Sequence, residues 1–480
     1  MTGPPPVSDI GPDDAPWTFL TDRESHEFHL YTARHQGNVP TEDRQAVQHM
    51  RLSLADEILL RNGYSGVTGL AAVFTGEPPA PEEVRRRAVE RWTALPRLNQ
   101  VLHFTPGAGE DGRRPLRRRR AHWTVPGPFR PQEHVLTADC ELDELWAQVV
   151  NRPLPEGAPL WRLFLVPGKA EGGFALALVA QHVLLDGHSL GVAMRVLMDG
   201  ADPVRTTGHV PRPRLPLGAV ARELKALTLP GQALPTPSPH RTAPSVAVRT
   251  LPVATLRAAS RHPHGTRGAT PNELLTSAVA GALRTLLGPP KDWPSTRPVY
   301  TCVPCDLRTR ENQDELGNVV TAVRVALPLG LADPVARLRV CQGALQAVPE
   351  RAAVHAALSP LAENVRRMAP WAGELTGTGG RPSYMATVTT SAKWRASSTT
   401  FHGRKLRHMA GLPPLSHPGG ASFLLLQAPD ACALTAVCHL LPGSAHRFAD
   451  AVAQEIQTLA QMAEPGHHAG HTGSNRPGPS

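Results

Sequence analysis

The chain has 480 residues, of which 41% are hydrophobic and 19% charged. That balance excludes a wholly disordered polymer and leaves room for two or three domains around a sizeable core. The 50 Lys and Arg against 41 Asp and Glu give a net charge of +9, which favours anionic partners such as phosphates, acidic carriers or lipid surfaces. Neither zinc-finger spacing nor an aromatic-basic recognition motif accompanies the charge, so nucleic acid is not an expected partner. No apolar run approaches the roughly 20 residues of a membrane span.

The opening MTGPPPVSDIGPDDAP has no basic start followed by an apolar core, so no secretory signal is expected. The expected location is the cytoplasm, with peripheral attachment to a membrane or lipid surface left open. Cys140, Cys302, Cys305, Cys341, Cys432 and Cys438 are few for this length and read as reduced core thiols.

Residues 1–50 are Pro-rich, then acidic, with little periodicity, and read as a partly disordered extension. The fold is expected to begin at Arg51. Pro81-Glu82-Glu83 starts a helix with Val84, Ala88, Trp92 and Leu95 on one face and Pro96 at its end. Arg113 to Arg120 is the densest basic run and reads as a solvated loop or edge. Asp143 to Val150 reads as a helix, Pro159 to Val166 as a strand, and the first α/β unit spans 51–200.

Residues 201–245 are a Pro-rich crossover with a short helix at Leu217 to Leu229. A second unit covers 246–463. In it Thr270, Pro271 and Glu273 form a capping box ahead of Leu274, Leu275, Ala278, Val279 and Leu283. Val299 to Val303, Asn318 to Leu327, Phe423 to Gln427 and Ala433 to Leu440 read as strands. Asp333-Pro334 opens a helix, and Phe448, Val452, Ile456 and Leu459 mark the last one. Residues 464–480 are a polar tail, and His467, His468 and His471 read as exposed tail rather than a metal site.

The chain is organised around Ala175 to Met198. Phe174, Leu176, Leu178, Ala180 and His182 fall on one side of a period-two pattern, and Ala175, Ala177, Val179 and Gln181 on the other, so His182 arrives at a strand end. Asp186-Gly187 supplies a turn, and Ser189 is suited to cap the helix that follows. Two motifs overlap here. Gln181 to Gly187 reads as a near H-H-x-x-x-D-G. Gly187-His188-Ser189-Leu190-Gly191 reads as G-x-S-x-G, the nucleophile elbow of an α/β-hydrolase, for which Asp430 and His439 or His446 follow in order. Against the elbow, Gln181 and His182 interrupt the apolar strand that should lead up to it. Cys302-Val303-Pro304-Cys305 has redox or zinc spacing, but the DLRTRE run after it lacks an apolar helix face and no second C-x-x-C exists.

The surroundings of the first motif resemble the bacterial wax ester synthase/diacylglycerol acyltransferase family and the related peptide-synthetase condensation domains. Arg51 to Asp56 is similar to the family's opening segment, Arg97-Leu98 to the end of its first helix, and Pro159-Leu160-Trp161 to its P-L-W. Thr270-Pro271-Asn272-Glu273 is similar to its T-x-N-[DE]. Val303-Pro304 with Leu307-Arg308 and Gly317-Asn318 is similar to its V-P-x-x-x-R and G-N. The departures are Gln181 in place of the first His, and Ala386 to Lys393 where S-N-V-P-G-P belongs.

The resemblance implies an α/β (α+β) fold of two chloramphenicol acetyltransferase-like lobes, a pseudo-dimer with an interlobe channel. It implies an O-acyltransferase with His182 as general base, moving an acyl group from acyl-CoA or an acyl carrier to a hydroxyl such as that of diacylglycerol or a long-chain alcohol. Gln181 would orient the site. Asp186, expected to be buried, needs a cation, and Arg308 matches the family's arginine. Gly187 permits tight backbone passage or offers an N–H to the oxyanion. Trp161 reads first as core packing and only secondarily as channel lining, and Asn272 and Asn318 are channel or substrate candidates. No metal and no tightly bound cofactor is expected, only the thioester co-substrate, with a carrier protein as a further partner. The alternatives are a condensation-type enzyme acting on an amine or alcohol in a specialised pathway, a hydrolase using Ser189, and an inactive binding homologue.

Overall fold

The computed structural model describes residues 50–62, 66–104, 121–152, 154–168, 173–204, 217–236, 243–261, 267–368, 381–394, 399–429 and 431–463. The N-terminal extension, the arginine run, Asp430, the C-terminal tail and parts of the Pro-rich crossover lie outside these.

The first half runs β1 (Met50–Arg51), α1 (Leu54–Asn62), β2 (Val67–Thr75), α2 (Pro81–Trp92), β3 (Val101–Phe104), β4 (Ala121–Thr124), α3 (Pro131–His134), β5 (Val135–Thr137), α4 (Leu142–Val150), β6 (Trp161–Pro167), β7 (Gly173–Gln181) and α5 (Gly187–Leu197). Next come α6 (Leu217–Thr228), β8 (Ser245–Pro252), α7 (Val253–Ser260), α8 (Pro271–Leu287), β9 (Tyr300–Asp306), β10 (Val320–Ala326), α9 (Pro334–Gln346) and α10 (Val348–Met368). The chain closes with β11 (Thr387–Lys393), β12 (Thr400–Phe401), β13 (Arg404–Leu412), β14 (Ala421–Gln427), β15 (Ala431–Cys438) and α11 (Ser444–Met462).

These build two lobes, each with a six-stranded mixed sheet. The second lobe's order is β10-β9-β11-β14-β15-β8, and the first lobe's is β12-β13-β2-β7-β6-β5. The first lobe's sheet contains an exchange: β13, late in the chain, leaves the second lobe and pairs with β2 of the first, with β12 on its outer edge. Side by side, β13 and β14 bind the lobes. A β-carbon on Gly411 would sit 2.3 Å from Leu424, and Thr68 donates to the Leu412 carbonyl at 3.0 Å.

β7 runs through the middle of the first sheet and alternates as read. Phe174, Leu176, Leu178 and Ala180 join a core with Trp92, Trp161, Leu190 and Met194. Ala175, Ala177 and Val179 face a second core that spans the lobes, with Trp146, Leu412, Leu415 and Val437. Buried on both faces, β7 delivers its C-terminal residues to the lobe junction. α2 buries Val84, Ala88 and Trp92. α8 starts on the expected capping box, with Thr270 and Glu273 each bonding the other's backbone N–H.

Candidate functional site

His182 sits where β7 ends and the turn to α5 begins. Its N–H donates to the Gly66 carbonyl at 2.6 Å. Gly66 has φ +61°, and a β-carbon there would lie 2.6 Å from Gln181 Nε2. Only glycine combines that backbone with so close an approach, so one residue supports both motif positions. Leu59, Leu60, Gly66, Gln181 and Val183 line a small cleft beside them. His182 Nδ1 and Gln181 Oε1 are buried without a hydrogen-bond partner among the described residues. Burial pushes the His182 ring below its ordinary pKa, while its own backbone, Asp186, Asn318 and Asp56 act in the opposite direction.

Two buried clusters fix the turn. In the first, Asp186 and Arg308 meet across the lobe junction, with Arg308 Nη1 2.9 Å from Asp186 Oδ2 and side chains 2% and 4% exposed. Every carboxylate lone pair is used. Asp186 Oδ1 accepts from the Ser189 N–H at 2.8 Å and Arg308 Nη2 at 3.2 Å, and Oδ2 accepts also from the Val319 N–H at 3.0 Å. Arg308 further donates to the Glu315 and Gly317 carbonyls and to Asp306.

Ser189 belongs to this cluster, and here the expectation of a helix cap is corrected. Asp186 is the N-cap of α5, and Ser189 lies three residues on. Ser189 Oγ donates to the Gly317 carbonyl at 2.8 Å and accepts from the Gly317 N–H and from Arg308 Nη2, both at 3.0 Å. Its proton goes to a carbonyl rather than to an imidazole, and the residue is fully buried. A hydroxyl so saturated is not a nucleophile, which overturns the hydrolase reading. His188, which carried no role in the sequence beyond its place in G-x-S-x-G, is a second clasp: Nδ1 lies 2.9 Å from Asp306 Oδ2, and Nε2 lies 2.6 Å from the Gln313 carbonyl. The Asp306 carboxylate raises the His188 pKa against the opposing effect of burial. Burial would raise the Asp306 carboxyl, but His188 and Arg308 outweigh it and hold the group at about 2.

The second cluster joins residues that sequence similarity singled out without pairing. Arg97 donates to the Leu184 carbonyl at 2.8 Å, the Val183 carbonyl at 3.0 Å and Asp56 Oδ1 at 3.0 Å, and it lies over the Trp123 ring. Asn318 Nδ2 donates to Asp56 Oδ1 at 2.8 Å and to the Val183 carbonyl at 2.9 Å. The backbone just after His182 is thereby held from both lobes.

Other expected residues are placed differently. Trp161 takes its first reading as a core residue rather than its secondary one: it is fully buried, its Nε1 donates to the Leu98 carbonyl at 2.8 Å, and it packs edge-on against Trp92 and Phe129. The P-L-W segment enters β6 on the core-facing side, with the His134 ring also against the indole. Gly187 begins α5 without a positive φ, and a β-carbon there would meet nothing within 4 Å, so tight passage is not why glycine stands there. Asn272 lies in the first turn of α8 with Oδ1 buried and unpartnered among the described residues. Cys302 and Cys305 lie on β9, and burial pushes their thiols up to about 12 and about 11, away from the reactive thiolate that redox chemistry uses. No described helix is long and apolar enough to cross a membrane.

Part of the sequence, and the fold, are similar to known proteins. Residues 68–284 match the model of the wax ester synthase/diacylglycerol acyltransferase catalytic domain. A Mycobacterium tuberculosis protein named as a diacylglycerol O-acyltransferase is 29% identical over 236 residues, covering 42% of this chain and 49% of the relative. A Mycobacterium bovis protein of the same description is 28% identical over 266 residues, covering 48% and 57%. The chain thus spans about half the length of the curated relatives it matches. In fold, the wax ester synthase/diacylglycerol acyltransferase of Marinobacter aquaeolei VT8 superposes with TM-score 0.58 at 16% identity, covering 86% of this chain and all of that one. The first condensation domain of the CDA synthetase gives TM-score 0.59 at 16% identity, covering 86% and 97%. The chain therefore carries, within residues 68–284, the sequence signature of the wax ester synthase/diacylglycerol acyltransferase catalytic domain, on the two-lobed fold common to that enzyme and to condensation domains.

Proposed function

We propose that this protein is an acyltransferase that moves an acyl group from a thioester to a hydroxyl acceptor, with His182 as general base. The observation that supports this most directly is the His182 turn: a ring kept below its ordinary pKa by burial, on a backbone held by clusters from both lobes. A ring of that kind is neutral near pH 7 and able to take a proton. In the reaction the acceptor O–H gives its proton to the ring as its oxygen bonds the thioester carbonyl carbon. The tetrahedral intermediate then breaks its C–S bond, and the thiolate leaves with the proton returned by the imidazolium. No serine or cysteine nucleophile is required. The Gly187 N–H, at the start of α5, is the proposed donor to the developing oxyanion. Gln181 orients the acceptor side of the site but cannot exchange protons near neutral pH.

The donor is a thioester on coenzyme A or on a carrier protein, entering between the lobes. A structural neighbour, a mutant of the starter condensation domain of rhizomide synthetase with TM-score 0.57 at 15% identity, was solved in complex with C8-CoA and Leu-SNAC. The acceptor proposed here is diacylglycerol or a long-chain alcohol, following the names of the relatives.

The test is to incubate the purified chain with acyl-CoA thioesters and with diacylglycerols, alcohols and amines, and to read products by mass spectrometry. Ester formation that disappears in His182→Ala, at an unchanged thermal midpoint, is the expected result. Full transfer by His182→Ala refutes the assignment of the base, and amides in place of esters refute the hydroxyl acceptor.

A further inference from the structure

We infer that Asn318 is a positioning residue for the base: its side-chain carbonyl oxygen orients His182 and steadies the imidazolium that forms during transfer. The inference rests on the proposed acyltransferase reading and adds a role to it that the sequence did not suggest, where Asn318 stood only as a channel or substrate candidate.

The two ends of a carboxamide usually leave its orientation ambiguous. Here chemistry resolves it. Both neighbours on one side of Asn318, Asp56 Oδ1 at 2.8 Å and the Val183 carbonyl at 2.9 Å, are acceptors only, so the NH2 group faces them and spends both protons there. Oδ1 must point the other way. It is buried and has no hydrogen-bond partner among the described residues, and the same holds for His182 Nδ1. Two buried polar atoms left without partners are costly and uncommon in a native fold. Asn318 is bonded to the carbonyl of the residue that follows His182, which brings it to the same turn as the ring. The Asn318 side chain also acts to raise the basicity of the His182 ring, as a nearby carbonyl oxygen does when it accepts from a ring N–H.

Asp56 then acts one step further away. Its Oδ1 takes both Arg97 Nη2 and Asn318 Nδ2, and Oδ2 takes Trp123 Nε1 at 3.2 Å. A carboxylate locked on these three donors and on the Ser53 N–H cannot turn, so it holds the amide in the one orientation that presents oxygen to the base. A neutral amide suits the task because it accepts a hydrogen bond from the protonated ring without pinning the ring permanently in its charged form. With its Nδ1–H turned to that oxygen, the ring keeps Nε2 free to take the acceptor's proton.

The test uses the full chain with an acyl-CoA and the acceptor that gives product in the assay above. Asn318→Leu and Asn318→Ala remove the oxygen with different changes in volume, and Asp56→Asn removes the group that fixes the amide. The expected result is a fall in kcat of about 10-fold or more in all three, little change in KM for either substrate, and an acid limb of the kcat–pH profile moved to lower pH, since the imidazolium has lost its acceptor. Unchanged kcat and an unmoved acid limb, with only the thermal midpoint lowered, overturn the inference and leave Asn318 a structural tie. The outcome is separable from the parent reading: an active His182→Ala enzyme removes the base itself, whereas an inactive His182→Ala enzyme beside fully active Asn318 variants removes only the role of Asn318.

Discussion

Asp186→Ala is the perturbation whose cost the structure defines best. The substitution deletes the N-cap of α5 and leaves Arg308, a side chain 2% exposed, without its bidentate partner. Loss of the cap alone costs about 1 kcal/mol, and breaking a buried pair from one side costs about 3–5 kcal/mol. Asp306 remains 3.0 Å from Arg308 Nη1, so the guanidinium is not wholly uncompensated. The pair contribution therefore falls at the low end, and the expected total is about 4 kcal/mol. Urea unfolding of wild type, Asp186→Ala, Arg308→Met and the double variant measures it, with midpoints converted through the m-value. Because both partners share one hydrogen-bond cluster with Ser189, Val319 and Gly317, the double variant should cost clearly less than the sum of the singles. Additive singles of under about 1 kcal/mol each would mean that the pair behaves as an exposed surface bridge, and the reasoning about the lobe junction would fail.

Two further outcomes follow from the same junction. His188 has its pKa raised by Asp306, so its contribution is fully present below the unfolded value of about 6.5 and is lost as pH rises through the folded value. Stability measured from pH 6 to 9 should fall in wild type relative to His188→Gln, and parallel curves would show that the imidazolium contributes nothing. Ser189→Ala should cost about 1–3 kcal/mol rather than a cap's worth, since it strips partners from the buried Gly317 N–H and carbonyl. The wild-type chain should also remain unlabelled by a fluorophosphonate, and covalent labelling at Ser189 would restore the hydrolase reading.

Local signals in the sequence were enough for much of this. The alternation through Phe174 to Gln181, the capping box at Thr270 and the Pro81 helix start depend on neighbours within a few residues, and each appears where the pattern places it. The His182 turn was legible for the same reason; a carboxylate at a buried strand end called for a cation, and the family resemblance, not the burial, pointed to Arg308. Less visible was β2, whose VTGLAAVFT is buried on nearly every residue. A strand covered on both faces loses the polar alternation by which strands are recognised.

What only the tertiary structure decided is how distant segments meet. Nothing local in Arg404 to Leu412 tells that it pairs with β2, more than 300 residues earlier in the chain, because a strand's partner is chosen by global topology and not by its own residues. The role of Ser189 was misread for a similar reason. Three residues separate it from Asp186, so either reads as a cap, and the choice is made by Gly317, which arrives from the other lobe. The Asp56–Arg97–Asn318 cluster joins three stretches that the sequence presents separately. Composition and period determined which segments form strands and helices and which imidazole stands at a strand end. The closing of the lobes decided which groups surround that imidazole, because hydrogen-bond satisfaction in a buried junction is a property of the assembled fold and not of any one segment.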